Sequence, residues 1–264
     1  MADAYQTLTL SFDDRGVATI TLSRPAVHNC MSDVLIAEMR RAVAAIEAAP
    51  ACRVAVLTAQ GDSFCAGADF KWMQTILGQS RAERVRDSTE LASMLYELNR
   101  LSRPLIGRIQ GSAYGGGNGL IACCDVAFAA RTARFCLTEV LLGLVPANIS
   151  PYVARKMGEA NARRTFFTGK MMSADEAAAM GLVTSAVDPG ELDAAVEAEI
   201  RSILRCAPGA IAATKKLVDY VLRHDDATNR LYTADRLADA WETEEGLEGI
   251  RSFLEKRSPS WRPS

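Results

Sequence analysis

Three short segments carry the residue types that acid–base and oxyanion chemistry need. Glu139 sits in Phe135-Cys136-Leu137-Thr138-Glu139-Val140-Leu141-Leu142-Gly143-Leu144-Val145-Pro146. An ionised carboxylate among Leu137, Val140, Leu141 and Leu142 is costly to bury unless it is paired or does chemistry. Desolvation there is expected to raise its pKa toward a value suited to proton transfer. The same pattern also allows a Glu exposed on a loop. Upstream, Gly111-Ser112-Ala113-Tyr114-Gly115-Gly116-Gly117-Asn118-Gly119-Leu120 follows a strand and opens an apolar helix. Consecutive glycines at a helix start cost backbone entropy. That cost is expected where bare N–H groups and the positive helix end face a ligand. A close crossing of helix and strand is the competing explanation. The third segment is Ser63-Phe64-Cys65-Ala66-Gly67-Ala68-Asp69-Phe70. Its small residues let a ligand approach the backbone, and a free Ala68 N–H can donate to a carbonyl or anionic oxygen. Tight packing ahead of a helix would use the same residues.

Other chemistries lack their parts. The only histidines are His28 and His224. A His-rich metal site is excluded and a Ser-His-Asp triad is unsupported, so no metal is expected. The glycine run is not a dinucleotide fingerprint, because no acidic residue follows a second βα unit in the required place. With 30 Lys+Arg against 32 Asp+Glu, the net charge of -2 argues against nucleic acid or an anionic membrane as partner. Basic residues occur only as local pairs, such as Arg40-Arg41, Arg163-Arg164 and Lys215-Lys216. No apolar run approaches the roughly 20 residues that span a bilayer. The 7 cysteines are odd in number and form no CxxC pair. They read as reduced thiols, and Met1 to Thr9 has no basic-then-apolar signal pattern, so a cytoplasmic protein is expected. Cys123 and Cys124 are adjacent on a helix, point to different faces and read as buried packing.

The elements that must position these segments follow from periodicity. A chain of 264 residues, 49% of them apolar, can build one large domain or two small ones. Leu8, Leu10 and Phe12, then Asp13-Asp14-Arg15-Gly16, then Val17, Ile20 and Leu22, predict a β-hairpin. Ser32 caps a helix over Val34-Leu35-Ile36, Met39, Val43 and Ile46 that ends near Pro50. Arg53 to Thr58 reads as a buried strand running into the turn Gln60-Gly61-Asp62. Pro104 to Gln110 is a second such strand, and a third begins at Asp125. Strands alternating with helices imply an α/β layout. From about Glu191 no strand signal remains, and a helical region is predicted to begin between residues 195 and 205. Pro208-Gly209 breaks it, and Pro259 and Pro263 close it.

Taken in order, the three segments resemble the crotonase (enoyl-CoA hydratase/isomerase) superfamily. Arg24-Pro25-Ala26-Val27-His28-Asn29 adds to the likeness, as does the tail Glu245-Gly246-Leu247 with Phe253-Leu254-Glu255-Lys256-Arg257. The likeness runs from about residue 8 to residue 257. Within it, Gly-Asn-Gly-Leu-Ile-Ala-Cys-Cys-Asp at 117–125 and Thr-Glu-Val-Leu-Leu-Gly-Leu-Val-Pro-Ala-Asn-Ile-Ser-Pro-Tyr at 138–152 are similar to bacterial methylglutaconyl-CoA and isohexenylglutaconyl-CoA hydratases.

The resemblance implies an α/β spiral of ββα units. It makes residues 1–200 the core that binds acyl-CoA and 201–264 a helical C-terminal trimerisation region. A homotrimer or a dimer of trimers is expected. No tightly bound cofactor is implied; coenzyme A arrives as part of the substrate thioester. The backbone N–H groups of Ala68 and Gly116 would form the oxyanion hole. Coenzyme A would lie against Ala26, Val27 and His28 and along Ala66, Ala68, Asp69 and Phe70. Lys256 or Arg257 would reach its phosphates, from a neighbouring subunit if not from the same one. Glu139 matches one of the family's two catalytic glutamates. The other falls at Gly119, a departure that puts hydration by the usual pair of carboxylates in doubt. The water could be held by Asn118 or Asn148, by backbone groups beside Glu139 alone, or by a carboxylate on the substrate. The expected activity is hydration of a branched α,β-unsaturated acyl-CoA. An enoyl-CoA isomerase using Glu139 alone, or a non-catalytic acyl-CoA binder, is the alternative.

Overall fold

In the computed structural model, residues 5–262 are described; the start of the N-terminal stretch and the closing Pro263 lie outside them. The hairpin forms where alternation placed it. Strands β1 (Leu8–Phe12) and β2 (Val17–Leu22) pair antiparallel, with Leu8 opposite Leu22. Gly16 turns the chain at φ +85°, and a side chain there would run into the Ala51 carbonyl. Helix α1 (Asp33–Glu47) begins at Ser32, whose hydroxyl accepts from the Leu35 N–H. Its Leu35, Ile36, Met39, Val43 and Ile46 are buried, while Val34 faces out.

The chain then winds in turns, and each turn lays one strand in each of two sheets. The first turn supplies β3 (Val54–Ala59) and β4 (Ser63–Cys65), followed by α2 (Phe70–Leu77) and α3 (Arg81–Asn99). The second supplies β5 (Leu105–Ile109), β6 (Ser112–Tyr114) and α4 (Gly116–Cys123). The third supplies β7 (Val126–Ala130), β8 (Arg134–Cys136), a short 3-10 turn over Glu139–Leu142 and α5 (Ser150–Phe166). A last half-turn adds β9 (Met172–Ser173), α6 (Ala174–Ala179) and β10 (Ser185–Val187). The large sheet runs β1-β2-β3-β5-β7-β10 and the small one β4-β6-β8-β9. All neighbours are parallel except β1 with β2 and β8 with β9. β3 is an almost unbroken buried run, as expected for a parallel strand covered on both faces.

Helices begin at Leu192, slightly ahead of the predicted boundary. The reason is that α7 (Leu192–Leu204) is a layer of the core. Its Val196, Ile200 and Leu204 pack on Val17, Val54, Val56 and Ile106 of the large sheet. The following α8 (Pro208–Val221), α9 (Asp226–Glu242) and α10 (Glu244–Leu254) differ. Only Ser252 among them is buried, while Leu231, Leu237, Trp241, Phe253 and Leu254 stand exposed. All seven cysteines are free thiols, and Cys123 and Cys124 are buried as the packing argument required. Among the described residues no helix is long and apolar enough to cross a membrane.

Candidate active site

Register in the small sheet brings the three segments together. Ser63 lies opposite Ser112, Ala113 opposite Phe135 and Tyr114 opposite Cys136. Three adjacent parallel strands therefore end side by side, and their outgoing loops carry Ala68, Gly116 and Glu139. The carboxyl ends of parallel strands are where α/β folds place ligands. Missing side chains let the loops close up. A Cβ on Gly67, which has φ +89°, would lie 3.2 Å from the Tyr114 carbonyl oxygen, and one on Gly117 would lie 2.5 Å from that of Cys65.

Two backbone donors point into this junction. Gly115 turns at φ +48° and ψ -120°, and Gly116 opens α4. Neither the Gly116 N–H nor the Ala68 N–H finds an acceptor among the described residues. Both are therefore available to an oxygen of a ligand. The Ala68 loop is pinned on both sides. The Met31 N–H donates to the Gly67 carbonyl at 2.7 Å, and the Asp69 N–H donates to the Met31 carbonyl at 2.8 Å. Asp69 is buried; its carboxylate caps α2 through the Lys71 N–H at 2.9 Å and pairs with Arg24 at 3.0 Å. Burial alone would raise the Asp69 carboxyl, but Arg24 and these N–H donors outweigh it and hold it below the ordinary range.

Glu139 faces the same glycines. Its Oε1 stands 3.4 Å from the point where a Cβ on Gly115 would lie. Its Oε2 is buried with no hydrogen-bond partner among the described residues. Burial pushes its carboxyl above the ordinary range. That direction matches the expectation, although the neighbourhood differs. Leu137 is buried, but Leu141 and Leu142 are 64% and 61% exposed, so those two leucines do not form a buried wall about the acid.

Gly119 lies in the first turn of α4, four residues beyond the Gly115 N-cap. A Cβ on Gly119 would stand 2.9 Å from the Ile149 Cβ, with the Ile149 Cγ2 closer still and Leu95 Cδ2 at 3.7 Å. The position at which the resemblance expects a second carboxylate is thus walled by apolar side chains. The amide nitrogens of the two asparagines weighed as water holders are engaged by protein groups, while Asn118 Oδ1 has no partner among the described residues. The Asn118 amide donates to the carbonyls of Ala113, Gly115 and Cys136, and Asn148 exchanges hydrogen bonds with Ser88.

The segment around residues 24–29 is built onto this junction. Ala26, Val27 and His28 are exposed on a short 3-10 turn, with His28 at φ 52° and Asn29 at φ 54°. The buried Asn29 amide donates to the carbonyls of Gln60 and Ser63, and the Ala66 N–H donates to the His28 carbonyl. Ala26, Val27, His28, Ala68 and the 72% exposed Phe70 are open to solvent, and Ala66 is half-buried. Lys256 lies on the tail just after α10, at φ 55°. The tail is tied to the start of β3, where Arg53 donates to the carbonyls of Trp261, Leu204 and Cys206. That is the opposite end of β3 from the loop leading to Ala68. Among the described residues no group of three His, Cys, Asp or Glu is placed to hold a metal. The sequence reading missed Ile149 over Gly119 and Met31, whose Cε would lie 3.3 Å from a Cβ on Gly116. Neither has a local signal, because both act through contacts between distant segments.

A two-sheet spiral that sets free backbone donors beside a half-buried carboxylate defines an enzyme of the crotonase fold. The chain matches the enoyl-CoA hydratase/isomerase family over residues 13–264. A putative enoyl-CoA hydratase of Thermus thermophilus is 32% identical over 247 residues, covering 92% of this chain and 96% of the relative. The mevalonyl-coenzyme A hydratase of Aspergillus fumigatus is 31% identical over 261 residues, covering 97% and 94%. The crystal structure of an enoyl-CoA hydratase from Shewanella pealeana superposes with a TM-score of 0.94 at 36% identity, over 97% of this chain and 96% of that one. The chain belongs to the enoyl-CoA hydratase/isomerase family. It is an enzyme for unsaturated acyl-CoA thioesters.

Proposed function

We propose that this protein hydrates a branched, methylglutaconyl-like α,β-unsaturated acyl-CoA with Glu139 as its one acid–base group. The observation that carries this reading is the half-buried Glu139 carboxylate, its Oε2 buried and unpartnered, facing Gly115 next to the free Gly116 N–H, with Ile149 over Gly119. The thioester carbonyl accepts from the N–H groups of Ala68 and Gly116. Glu139 takes a proton from water as the water oxygen bonds to C3, and the electrons move to the thioester oxygen as an enolate. The same carboxyl then returns that proton to C2, so one water is added and Glu139 is regenerated. The space over the bare Gly115 Cα lies between Glu139 Oε1 and Thr138 Oγ1, each 3.4 Å from the absent Cβ, and suits the reacting water.

Branching at C3 is supported by two features. Ile149 and Leu95 offer an apolar wall where a second carboxylate is missing. The name of the Aspergillus relative carries mevalonyl, a 3-methyl-branched acyl group. Coenzyme A runs along Ala26, Val27, His28, Ala66, Asp69 and Phe70, meeting Asp69 through its backbone because its carboxylate is paired. Lys256 meets coenzyme A across a subunit contact. The exposed apolar faces of residues 201–264 suit association into a trimer or a dimer of trimers.

The test is mass spectrometry of 3-methylglutaconyl-CoA after incubation with the protein in ¹⁸O-labelled water. A product heavier by one labelled water is expected. A positional isomer of unchanged mass would replace hydration by isomerisation. Unchanged methylglutaconyl-CoA beside hydrated crotonyl-CoA would refute the branched substrate.

A further inference from the structure

Asn118 is fully buried, yet it carries an amide where an apolar side chain would pack without penalty. Its amide nitrogen faces three carbonyl oxygens, which fixes the amide's orientation, since Oδ1 would be repelled there. One N–H suits the Cys136 carbonyl at 2.9 Å; the other is shared between Ala113 at 3.3 Å and Gly115 at 3.4 Å. Oδ1 is left buried with no donor among the described residues. The Asn118 backbone N–H also donates to the Gly115 carbonyl at 3.0 Å, and the Gly115 N–H donates to Cys136 at 2.9 Å. The Gly115 carbonyl and the Gly116 N–H belong to one planar peptide and point in opposite directions. Holding the oxygen aims the N–H. That peptide needs holding, because Gly115 sits at φ +48°, where glycine alone is comfortable. Cys136 ends the strand that leads to Glu139, so one amide links the donor to the strand just before the acid.

We propose that Asn118 is a positioning residue for the oxyanion donor, holding the Gly115–Gly116 peptide so that the Gly116 N–H meets the thioester oxygen. This rests on the reading of Gly116 as that donor. Asn118→Leu keeps the branching and heavy-atom count, though it is bulkier, and removes both amide donors; Asn118→Ser keeps one donor and serves if the leucine variant does not fold.

The probes are butyryl-CoA, labelled with ¹³C at its carbonyl, and S-butyl-CoA, a thioether with no carbonyl. In the parent protein the bound carbonyl stretch should fall in frequency, and butyryl-CoA should bind more tightly than S-butyl-CoA. In Asn118→Leu the frequency shift should shrink and the preference should fall about tenfold, with S-butyl-CoA affinity unchanged. Asn118→Ser should lie between. Loss of affinity for both ligands alike, or a full carbonyl shift in both variants, overturns the positioning role. A parent protein with neither shift nor preference overturns the oxyanion reading itself, and the proposal with it.

Discussion

Gly119→Ala tests whether the place of a second carboxylate is closed. The added Cβ would stand 2.9 Å from the Ile149 Cβ and nearer still to Cγ2, where apolar carbons rest at about 3.5–4.0 Å. Neither partner can yield cheaply, since Gly119 is buried within α4 and Ile149 is 3% exposed. Overpacking of this kind costs about 1–3 kcal/mol, and this contact belongs at the upper end. Alanine regains about 1 kcal/mol of helix propensity over glycine. The steric term wins, leaving about 2 kcal/mol of destabilisation, or roughly 4–8 °C in Tm. Ile149→Ala alone should cost about 2–5 kcal/mol through its cavity. The double variant should be about 2 kcal/mol better than the sum of the two, because each change relieves the other. Urea unfolding at fixed protein concentration measures all three. A neutral Gly119→Ala, or additivity within about 0.5 kcal/mol, would refute the reasoning.

Glu139→Gln should lower turnover by at least about 100-fold, measured as steady-state kcat on the best acyl-CoA found. In the parent protein kcat/KM should fall toward acid pH with a midpoint above the usual Glu range, since Glu139 must be ionised and burial raises its pKa. The same shift bears on stability. The folded state binds this proton more tightly than the unfolded chain, so stability is lost as pH rises from the unfolded pKa through the folded one. Glu139→Gln should therefore raise Tm at neutral pH and leave it unchanged well below pH 4. Gly116→Val should push Met31 aside and weaken both affinity and rate for acyl-CoA, read by titration and kinetics; normal values for both would remove Gly116 from the site.

Much of this site was legible because its parts are local. The hairpin at residues 8–22, the Ser32 cap and the strands before each glycine-rich segment all follow from short-range rules, and they appear within a residue or two. Glu139 announced itself by being charged in an apolar run, and the direction of its pKa survived even though its assumed neighbours did not. Leu141 and Leu142 share its segment but face outward, because a 3-10 turn does not keep consecutive side chains on one side. The short strands of the small sheet were not legible. β4, β6, β8 and β9 have three residues or fewer, too short for alternation to register.

The departure at Gly119 was visible, but its meaning was not, because it is a property of a pair. An absent carboxylate reads from sequence as a gap that something polar should fill, which turned attention to Asn118 and Asn148. In the folded chain the gap is filled by Ile149, and the amide nitrogens of both asparagines are occupied by protein partners. Gly119 and Ile149 therefore fit as a pair, and a side chain at 119 needs room at 149. Gly119→Glu should misfold or gain no activity on crotonyl-CoA, since its Cβ meets the same wall as alanine and would bury a second charge near Glu139. Pairing it with Ile149→Gly opens that volume. If the pair folds and gains activity on crotonyl-CoA relative to Ile149→Gly alone, the wall is what separates this site from a two-carboxylate one. If Gly119→Glu alone folds normally and gains that activity, the wall separates nothing.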